Sequence, residues 1–373
     1  MSRSERILAG LAALFAVLAI LLPLGTRGDT TVMSWTGVLA VIYPALVLLL
    51  LALFMLKLPP PVSGALAVIG GLVILFELDQ FDHAGPGYWC LLAMGWCVAW
   101  LFAERLSWHL ARGEFRGRGI GMLVPVMFGL AVLVAWEAGT RGGNVPSVLL
   151  PSPSAIWGRI VTNLPMLAAD FQQTFLKAVL AGYVIGNAVG LLIAVAIDRS
   201  PFLKRGLLPI GSFVSALPLV GIAPIMVMWF GFDWPSKAAV VVIMTFFPML
   251  VNAVAGLNVT VSMERDLMRS YASSYWQTLF KLRLPAAAPF IFNALKINST
   301  LALIGAIVAE FFGTPIVGMG FRISTAVGRM DIGLVWAEIA VSALAGSVFY
   351  GVVALIERGV TFWHPSIRGG ETV

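Results

Sequence analysis

DLMRSYASSYWQTLFKLRLPAAAP, residues 266–289, is the polar stretch around which the rest of the sequence is arranged. It lies between two long apolar runs in a chain that is 60% hydrophobic and only 11% charged. Soluble domains carry about 25% charged residues, whereas apolar runs long enough to cross a bilayer recur along this whole chain. Because backbone polar groups inside a bilayer must be satisfied within their own segment, the sequence predicts an all-α polytopic membrane protein.

About ten apolar runs are predicted to be membrane helices. Four precede a basic linker, at about 7–26, 32–56, 62–78 and 87–103, and six follow it, at about 120–137, 173–197, 207–231, 237–257, 287–311 and 334–357. We therefore predict an N-terminal module at 1–112, a linker at 113–119 and a second domain at 120–373. The first run has a long apolar core and no small-residue cleavage site after it, so we interpret it as an uncleaved helix. An amphipathic surface helix is predicted at 154–168.

The charge pattern predicts the orientation. Lys57 and the linker arginines fall on the same side as the N-terminus, and the acidic turn at 77–86 falls on the other side. Basic loops collect in the cytoplasm, so we expect both termini and the polar loop 258–286 to be cytoplasmic. These loops account for the net charge of +6 better than nucleic-acid binding does. Cys90 and Cys97 lie in one apolar run and are expected to be small buried side chains, with no disulfide, metal site or cofactor.

The polar loop is long enough for two short helices joined by a turn. It carries large apolar or aromatic side chains amid polar ones, namely Leu267, Tyr271, Trp276, Leu279 and Phe280. Exposed aromatic groups with a polar rim are typical of a protein contact. An amphipathic loop lying on lipid headgroups is the alternative interpretation.

This loop resembles the EAA loop of the permease subunits of ABC importers, which has the pattern EAA-x3-G-x9-I-x-L-P. Residues 266–268 take the EAA position, Ala272 the glycine position and Leu282 the isoleucine position, while Leu284 and Pro285 match outright. The loop departs from the pattern with Asp266 in place of glutamate and alanine in place of glycine. Alanine is not expected to adopt a positive φ, so we expect either a different bend or a glycine needed only for packing.

Other stretches, at 149–157, 223–232, 235–257 and 309–321, resemble the nitrate, sulfonate and taurine branch of these permeases. The resemblance covers about 120–373 and implies a six-helix type I permease core, here preceded by four extra helices. It implies that the loop docks on a separate ATPase, that two copies form the pore, and that a periplasmic or lipid-anchored binding protein delivers the solute. The implied coupling residues are Asp266, Leu267, Met268, Arg269, Tyr271, Ala272, Trp276, Leu282, Leu284 and Pro285.

The sequence contains no G-x-x-x-x-G-K-[ST] loop for nucleotide phosphates. We therefore expect that the chain is not an enzyme and that ATP and Mg²⁺ bind to the partner ATPase. A membrane enzyme would need a catalytic cluster, and no nucleophile–base pair stands out. A stand-alone secondary transporter would need acidic groups at the midplane and repeated halves, and neither is clear.

Four residues are candidates for the solute pathway. Pro218, Pro224 and Met228 lie in an apolar run that its prolines would break, and Glu310 lies near the outer end of another. A broken helix or an intramembrane acid indicates a pathway. A packing kink and a hydrated position at the interface are the alternatives, and Glu137, Lys177 and Glu338 also lie near predicted outer ends. Gly186 and Gly190 form a G-x-x-x-G motif that we interpret as helix packing.

The solute is harder to predict than the mechanism. The stretch Val220-Gly221-Ile222-Ala223-Pro224 resembles permeases for thiamine-precursor pyrimidines or riboflavin more than sulfonate permeases. We therefore expect a small nitrogen heterocycle, with a sulfonate or another small anion as the second candidate. The expected location is the bacterial inner membrane.

Overall fold

The computed structural model describes residues 3–28, 30–32, 60–114, 119–200, 202–203, 205–206, 209, 218–313 and 316–363. These residues are mostly α-helical, which confirms the predicted all-α membrane architecture. Among them, seven helical segments are long and apolar enough to cross a membrane, and two shorter apolar helices accompany them. The chain divides into two compact units, residues 1–157 and 158–373.

The first unit is a helical cluster. Its helices are α1 (Arg3–Leu21), α2 (Pro60–Glu77), α3 (Pro86–Ala111) and α4 (Leu123–Gly142), and α5 (Pro153–Thr162) begins at its end. Small residues line the buried face of α1, where Ala9, Ala12, Ala16 and Ala19 recur at helical spacing and let α3 approach closely. The helix predicted at 32–56 lies outside the described residues from residue 33 onward.

A small three-stranded sheet in the first unit was not predicted. Strand β1 (Gly25–Arg27) pairs antiparallel with β2 (Thr30–Val32) on one side and with β3 (His83–Ala84) on the other. Strands of two or three residues are too short to give an alternating hydrophobic pattern, so the sequence carried no signal for them. The predicted first helix ends at Leu21 instead of residue 26, because Pro23 and this sheet follow it.

The second unit is built around a central helix. Helix α6 (Leu164–Phe171) runs through a π-helical segment (Gln172–Val179) into α7 (Leu180–Arg199). The other helices whose bounds lie among the described residues are α8 (Leu219–Phe230), α9 (Trp234–Leu257), α10 (Ser262–Ser270), α11 (Tyr275–Thr278), α12 (Leu284–Glu310), α13 (Met319–Gly328) and α14 (Ile332–Val360). Helix α9 lies between α7 and α12 and packs closely on both.

The G-x-x-x-G motif packs two helices of the same chain. A Cβ atom added at Gly186 would lie 2.1 Å from the Thr245 hydroxyl oxygen, and one at Gly190 would lie 2.7 Å from the Phe246 carbonyl oxygen. Both contacts are on α9, so the motif brings α7 against α9, which confirms the packing interpretation.

Two predicted helices are broken in the structure. The surface helix predicted at 154–168 is instead α5 followed by α6, with Asn163 between them. Helix α8 has 12 residues, about 18 Å in length, and begins directly after Pro218. Most of residues 207–217, which belong to the same predicted run, lie outside the described residues.

Candidate functional site

The polar loop forms two helices joined by a tight turn. Helix α10 ends where the Ser273 N–H donates to the Met268 carbonyl (3.1 Å) and the Ala272 N–H donates to the Arg269 carbonyl (2.9 Å). These two bonds are the Schellman motif, which places the residue after the C-cap in the left-handed region. That residue is Ala272, at φ +49°. The prediction that alanine avoids a positive φ here is wrong, because the turn's hydrogen bonds hold it in the conformation that glycine takes at small cost.

The second half of the loop is continuous with a membrane helix. Helix α11 starts at a capping box, in which the Gln277 N–H donates to Ser274 Oγ (3.3 Å) and the Ser274 N–H donates to Gln277 Oε1 (2.8 Å). It continues through a π-helical turn, Leu279–Arg283, into α12. Pro285 lies in the first turn of α12, where a missing N–H costs little. Helix α11, the π-helical turn and α12 therefore form one continuous helical segment.

The loop exposes several large apolar side chains among its polar ones. All nine residues of α10 are described and none is buried, and the side chains of Met263, Leu267 and Tyr271 are 77%, 57% and 77% exposed. Trp276 and Phe280 stack with their ring centroids 6.0 Å apart, and both are exposed. Apolar groups of this size on the surface, with polar neighbours, mark a contact site.

The remaining predicted loop residues divide by burial. Asp266 and Arg269 form an exposed ion pair at 3.1 Å. Leu279, which we predicted to be part of the exposed contact, is instead buried in a cluster with Leu257 and Ala287. Residues that are half-buried at the base of the loop or along α10 are Met268, Leu282, Leu284 and Pro285.

A set of polar contacts at the base of the loop was not anticipated from the sequence. The guanidinium group of Arg283 donates to both carboxylate oxygens of Asp198, at 2.6 Å each, and to the Leu257 carbonyl at 2.7 and 3.0 Å. The Tyr275 hydroxyl donates to Asp198 Oδ2 at 3.0 Å. One signal was present in the sequence, because an acid in the last turn of a helix opposes the helix dipole and calls for a cation.

Glu310 lies in a buried polar cluster and not in hydrated surroundings. It is 3% exposed, and its carboxylate accepts hydrogen bonds from the Thr174 hydroxyl (2.7 Å) and the Gly320 N–H (2.6 Å). Asp170 is fully buried and accepts from the Gly318 N–H (2.7 Å) and from Arg322 Nε (2.8 Å). Both carboxylates therefore satisfy free N–H groups at the start of α13, where the helix dipole favours an anion. The hydrated alternative for Glu310 is wrong.

Glu338 on α14 is also fully buried. It therefore does not occupy a hydrated outer position either, and its carbonyl accepts a hydrogen bond from the Ser342 hydroxyl at 2.7 Å. Lys237 is 2% exposed, and its ammonium group donates to the Phe232 carbonyl at 2.6 Å and to the Gly313 carbonyl. The Lys237 ammonium group therefore ties the segment after α8 and the segment after α12 to the start of α9.

The three other pathway candidates lie on or beside α8. Pro218 immediately precedes the helix, Pro224 is inside it, and Met228 is 83% exposed. The opposite face of α8 packs through Ala223 and Met226 against Ala309. Helix α8 therefore lies beside the end of α12 that carries Glu310, whose carboxylate faces α13.

The sequence matches known membrane transport proteins. The family of binding-protein-dependent transport system inner membrane components matches residues 186–362. A protein of Haemophilus influenzae named as a probable ABC transporter permease is 32% identical over 240 residues, which cover 64% of this chain and 97% of that protein. The chain belongs to this permease family. It is an ABC importer permease, and the matched region contains α9, the polar loop, Asp198 and Arg283.

Two further relatives of this permease have names that include a solute. The riboflavin transport system permease protein of Chloroflexus aurantiacus is 31% identical over 257 residues, covering 68% of this chain and 93% of the relative. The formylaminopyrimidine transport permease protein of Halalkalibacterium halodurans is 30% identical over 251 residues, covering 66% of this chain and 98% of the relative. Almost the whole of each relative aligns with about two thirds of this permease.

Proposed function

We propose that this permease forms the solute path of an ATP-driven importer and is coupled to separate ATPase subunits through its polar loop. The observation that carries the coupling is α10, an amphipathic helix with exposed apolar side chains and no buried residue. A helix of nine residues is too short to be stable alone in water. A groove on a partner that receives Met263, Leu267 and Tyr271 would supply the missing burial.

In this proposal the loop has a docking part and a connecting part. Docking involves the exposed side chains of α10 and α11, and the turn between them sets their relative direction. The docking residues are Asp266, Leu267, Met268, Arg269, Tyr271, Ala272 and Trp276, and the connecting residues are Leu282, Leu284 and Pro285. ATP and Mg²⁺ would bind to the ATPase, since the permease sequence lacks a phosphate-binding loop.

The assembly that we propose is symmetric. Two copies of the permease would surround the solute path, with two ATPase subunits in the cytoplasm and one solute-binding protein outside. Closure of the ATPase dimer on ATP would move both loops and switch the path between inward-open and outward-open states. The permease would lie in the bacterial inner membrane with both termini cytoplasmic. Its transport domain would be residues 120–373, preceded by a linker at 113–119 and an accessory module at 1–112.

For the solute we propose a small nitrogen heterocycle of the riboflavin or pyrimidine type. Two relatives that align over nearly their whole length carry those solutes in their names, and the Val220–Pro224 stretch resembles the same group. The path would pass Pro218 at the start of α8 and Pro224 and Met228 on it, near the buried Glu310. A sulfonate or another small anion remains the competing solute.

Coupling is tested by co-purification. The tagged permease is expressed with the ATPase and binding protein of its own transporter, and the retained ATPase, the rate of ATP hydrolysis and the uptake of solute are measured. We expect Asp266→Lys and Ala272→Trp to insert at normal levels but to separate ATP hydrolysis from uptake, because they alter the charge and the turn of the docking loop. Normal uptake in both variants would contradict docking through this loop. If the unaltered permease captured no ATPase, a stand-alone secondary transporter would become the better description.

The solute is tested on the binding protein. Isothermal titration with riboflavin, a formylaminopyrimidine and taurine should show binding of one of the two heterocycles. Binding of taurine alone would overturn the proposed solute class and leave the coupling proposal intact.

A further inference from the structure

The contacts at the base of the loop connect the ends of two other membrane helices. Asp198 lies in the last turn of α7, and Leu257 is the last residue of α9. The last carbonyl groups of a helix have no partner inside it, and the negative end of the helix dipole lies there. The Arg283 guanidinium group supplies both a donor for these carbonyls and a positive charge at the negative end of the dipole. It donates to the Leu257 carbonyl and pairs with Asp198. We name Asp198, Tyr275 and Arg283 the loop clamp.

The loop clamp is shielded from water. The side chains of Arg283 and Asp198 are 11% and 10% exposed, whereas those of Arg269 and Asp266 in the docking part are 81% and 64% exposed. Salt and water weaken exposed ion pairs until they contribute little. A shielded pair with two parallel bonds holds its geometry, and loss of either partner leaves a charge buried without compensation.

Cation–π and apolar contacts accompany the loop clamp. The Arg199 guanidinium carbon lies 5.5 Å from the centroid of the Tyr275 ring and 5.8 Å from that of Trp276, within cation–π range. Leu279 is 1% exposed and packs against Leu257. The segment from Tyr275 to Arg283 is therefore attached to α7 and α9, whereas α10 has no buried residue.

This arrangement divides the transmission of movement into two routes. Helix α12 is continuous with α11, so it follows the loop through the backbone itself. Helix α7 lies far from α11 in the sequence, and α9 is joined to α11 through α10 and the turns on either side of it. The ends of α7 and α9 contact the segment from Tyr275 to Arg283 through the side chains of the loop clamp. Rigid-body switching of a packed helix unit requires all three helices to move together.

We propose that Asp198, Tyr275 and Arg283 are positioning residues that transmit the movement of the docking loop to α7 and α9. The inference rests on the proposed function, since it needs an ATPase that moves the loop. Removal of the loop clamp should leave the ATPase bound and the nucleotide-dependent movement of α12 intact, while α7 no longer moves. Loss of a residue needed only for folding would lower ATPase binding and the movements of both helices together.

The experiment uses the full transporter in lipid nanodiscs, with Cys90 and Cys97 replaced by alanine. A spin label is placed at Leu192→Cys on α7 or at Thr300→Cys on α12, both of which are exposed positions. The distance between the spin labels of the two permease copies is measured by double electron–electron resonance, without nucleotide and with MgATP plus orthovanadate. In the unaltered permease we expect the distance distribution to shift at both positions.

Asp198→Asn and Arg283→Gln should abolish the shift at position 192 and preserve the shift at position 300, with the ATPase still bound. Tyr275→Phe removes one hydrogen bond and keeps the fold, so it should reduce the shift at 192 without abolishing it. Arg283→Lys should behave like Arg283→Gln, because lysine cannot form the two parallel bonds. Asp198→Glu should restore part of the shift.

Arg159→Gln is the matched control. It breaks an ion pair with Asp331 at 3.2 Å, outside the polar loop, and both shifts should remain. Full shifts at position 192 in Asp198→Asn with bound ATPase would overturn the role of the loop clamp and leave the coupling proposal standing. The role of the loop clamp would also be overturned if, in the unaltered permease, the distance distribution shifted at position 300 and not at position 192. Failure of the unaltered permease to retain ATPase would instead overturn the proposed function.

Discussion

Ala272 carries the turn of the docking loop in a backbone conformation that disfavours alanine. Its φ is +49°, and a left-handed conformation costs a residue with a Cβ atom about 1–2 kcal/mol. Glycine avoids that cost but loses about 0.5–1 kcal/mol more backbone entropy on folding. We therefore predict that Ala272→Gly stabilises the turn by up to about 1 kcal/mol.

Hydrogen exchange on the purified permease tests the effect of Ala272→Gly. A gain of this size slows exchange of the Ser273 amide by up to about fivefold, because that amide forms the closing bond of the turn. Ala255→Gly is the control, since Ala255 lies inside α9, where glycine should destabilise by about 0.5–1 kcal/mol. Faster exchange at Ser273 in Ala272→Gly would show that the alanine is not strained.

Single side chains in the site were predictable in position but not in conformation. The family pattern put Asp266, Leu284 and Pro285 in the loop, and in the structure Asp266 lies on α10 while Leu284 and Pro285 form the first turn of α12. The pattern could not give the backbone angle of Ala272, which follows from two hydrogen bonds of the Schellman turn. It also could not pair Arg283 with Asp198, because the two are 85 residues apart and only the fold brings them together.

Helices α7 and α9 approach each other closely because glycine faces the contact. A Cβ atom at Gly186 would lie 2.1 Å from Thr245 Oγ1 and 2.9 Å from the Val242 carbonyl, distances that real side chains do not adopt. We predict that Gly186→Ala lowers the free energy of unfolding by about 1–3 kcal/mol through overpacking. The measurement is the midpoint of thermal unfolding in detergent.

Gly129→Ala is the control for Gly186→Ala. Gly129 lies inside α4, and a Cβ atom there would meet open space. This substitution should be neutral or stabilise by up to about 1 kcal/mol through helix propensity. Equal midpoints for Gly186→Ala and the unaltered permease would mean that the two helices can separate without cost.

Helices were predictable where their apolar runs are long and uninterrupted, as in α9 and α14. The predicted helix boundaries were wrong where local hydrogen bonds decide where a helix begins. Helix α12 was predicted to begin at 287, but a capping box at Ser274 and the π-helical turn extend the helical segment to Tyr275. Helix α8 starts only after Pro218, because proline has no N–H to donate to a preceding helical turn.

The first unit includes the helix that we predicted to open the transport domain. Met127, Ala131 and Val134 of α4 pack on the apolar cluster of the N-terminal helices, and Arg141 pairs with Asp79 at 2.6 Å. The relatives nevertheless align over nearly their whole length with about two thirds of this chain. About one third of this chain therefore lies outside each of those alignments, and the matched family model covers residues 186–362.

We predict that a permease starting at Gly119 still inserts and retains the ATPase. The face of α4 that this truncation uncovers is apolar, and lipid tails can cover such a face at small cost. The polar loop and the loop clamp lie in the second unit and keep all their contacts. The measurement is the ratio of ATPase to permease after purification from membranes, with deletion of residues 258–286 from the full permease as the control that should lose the ATPase. Loss of the ATPase from the truncated permease, with retention by the full permease, would make the N-terminal helices part of the transport domain.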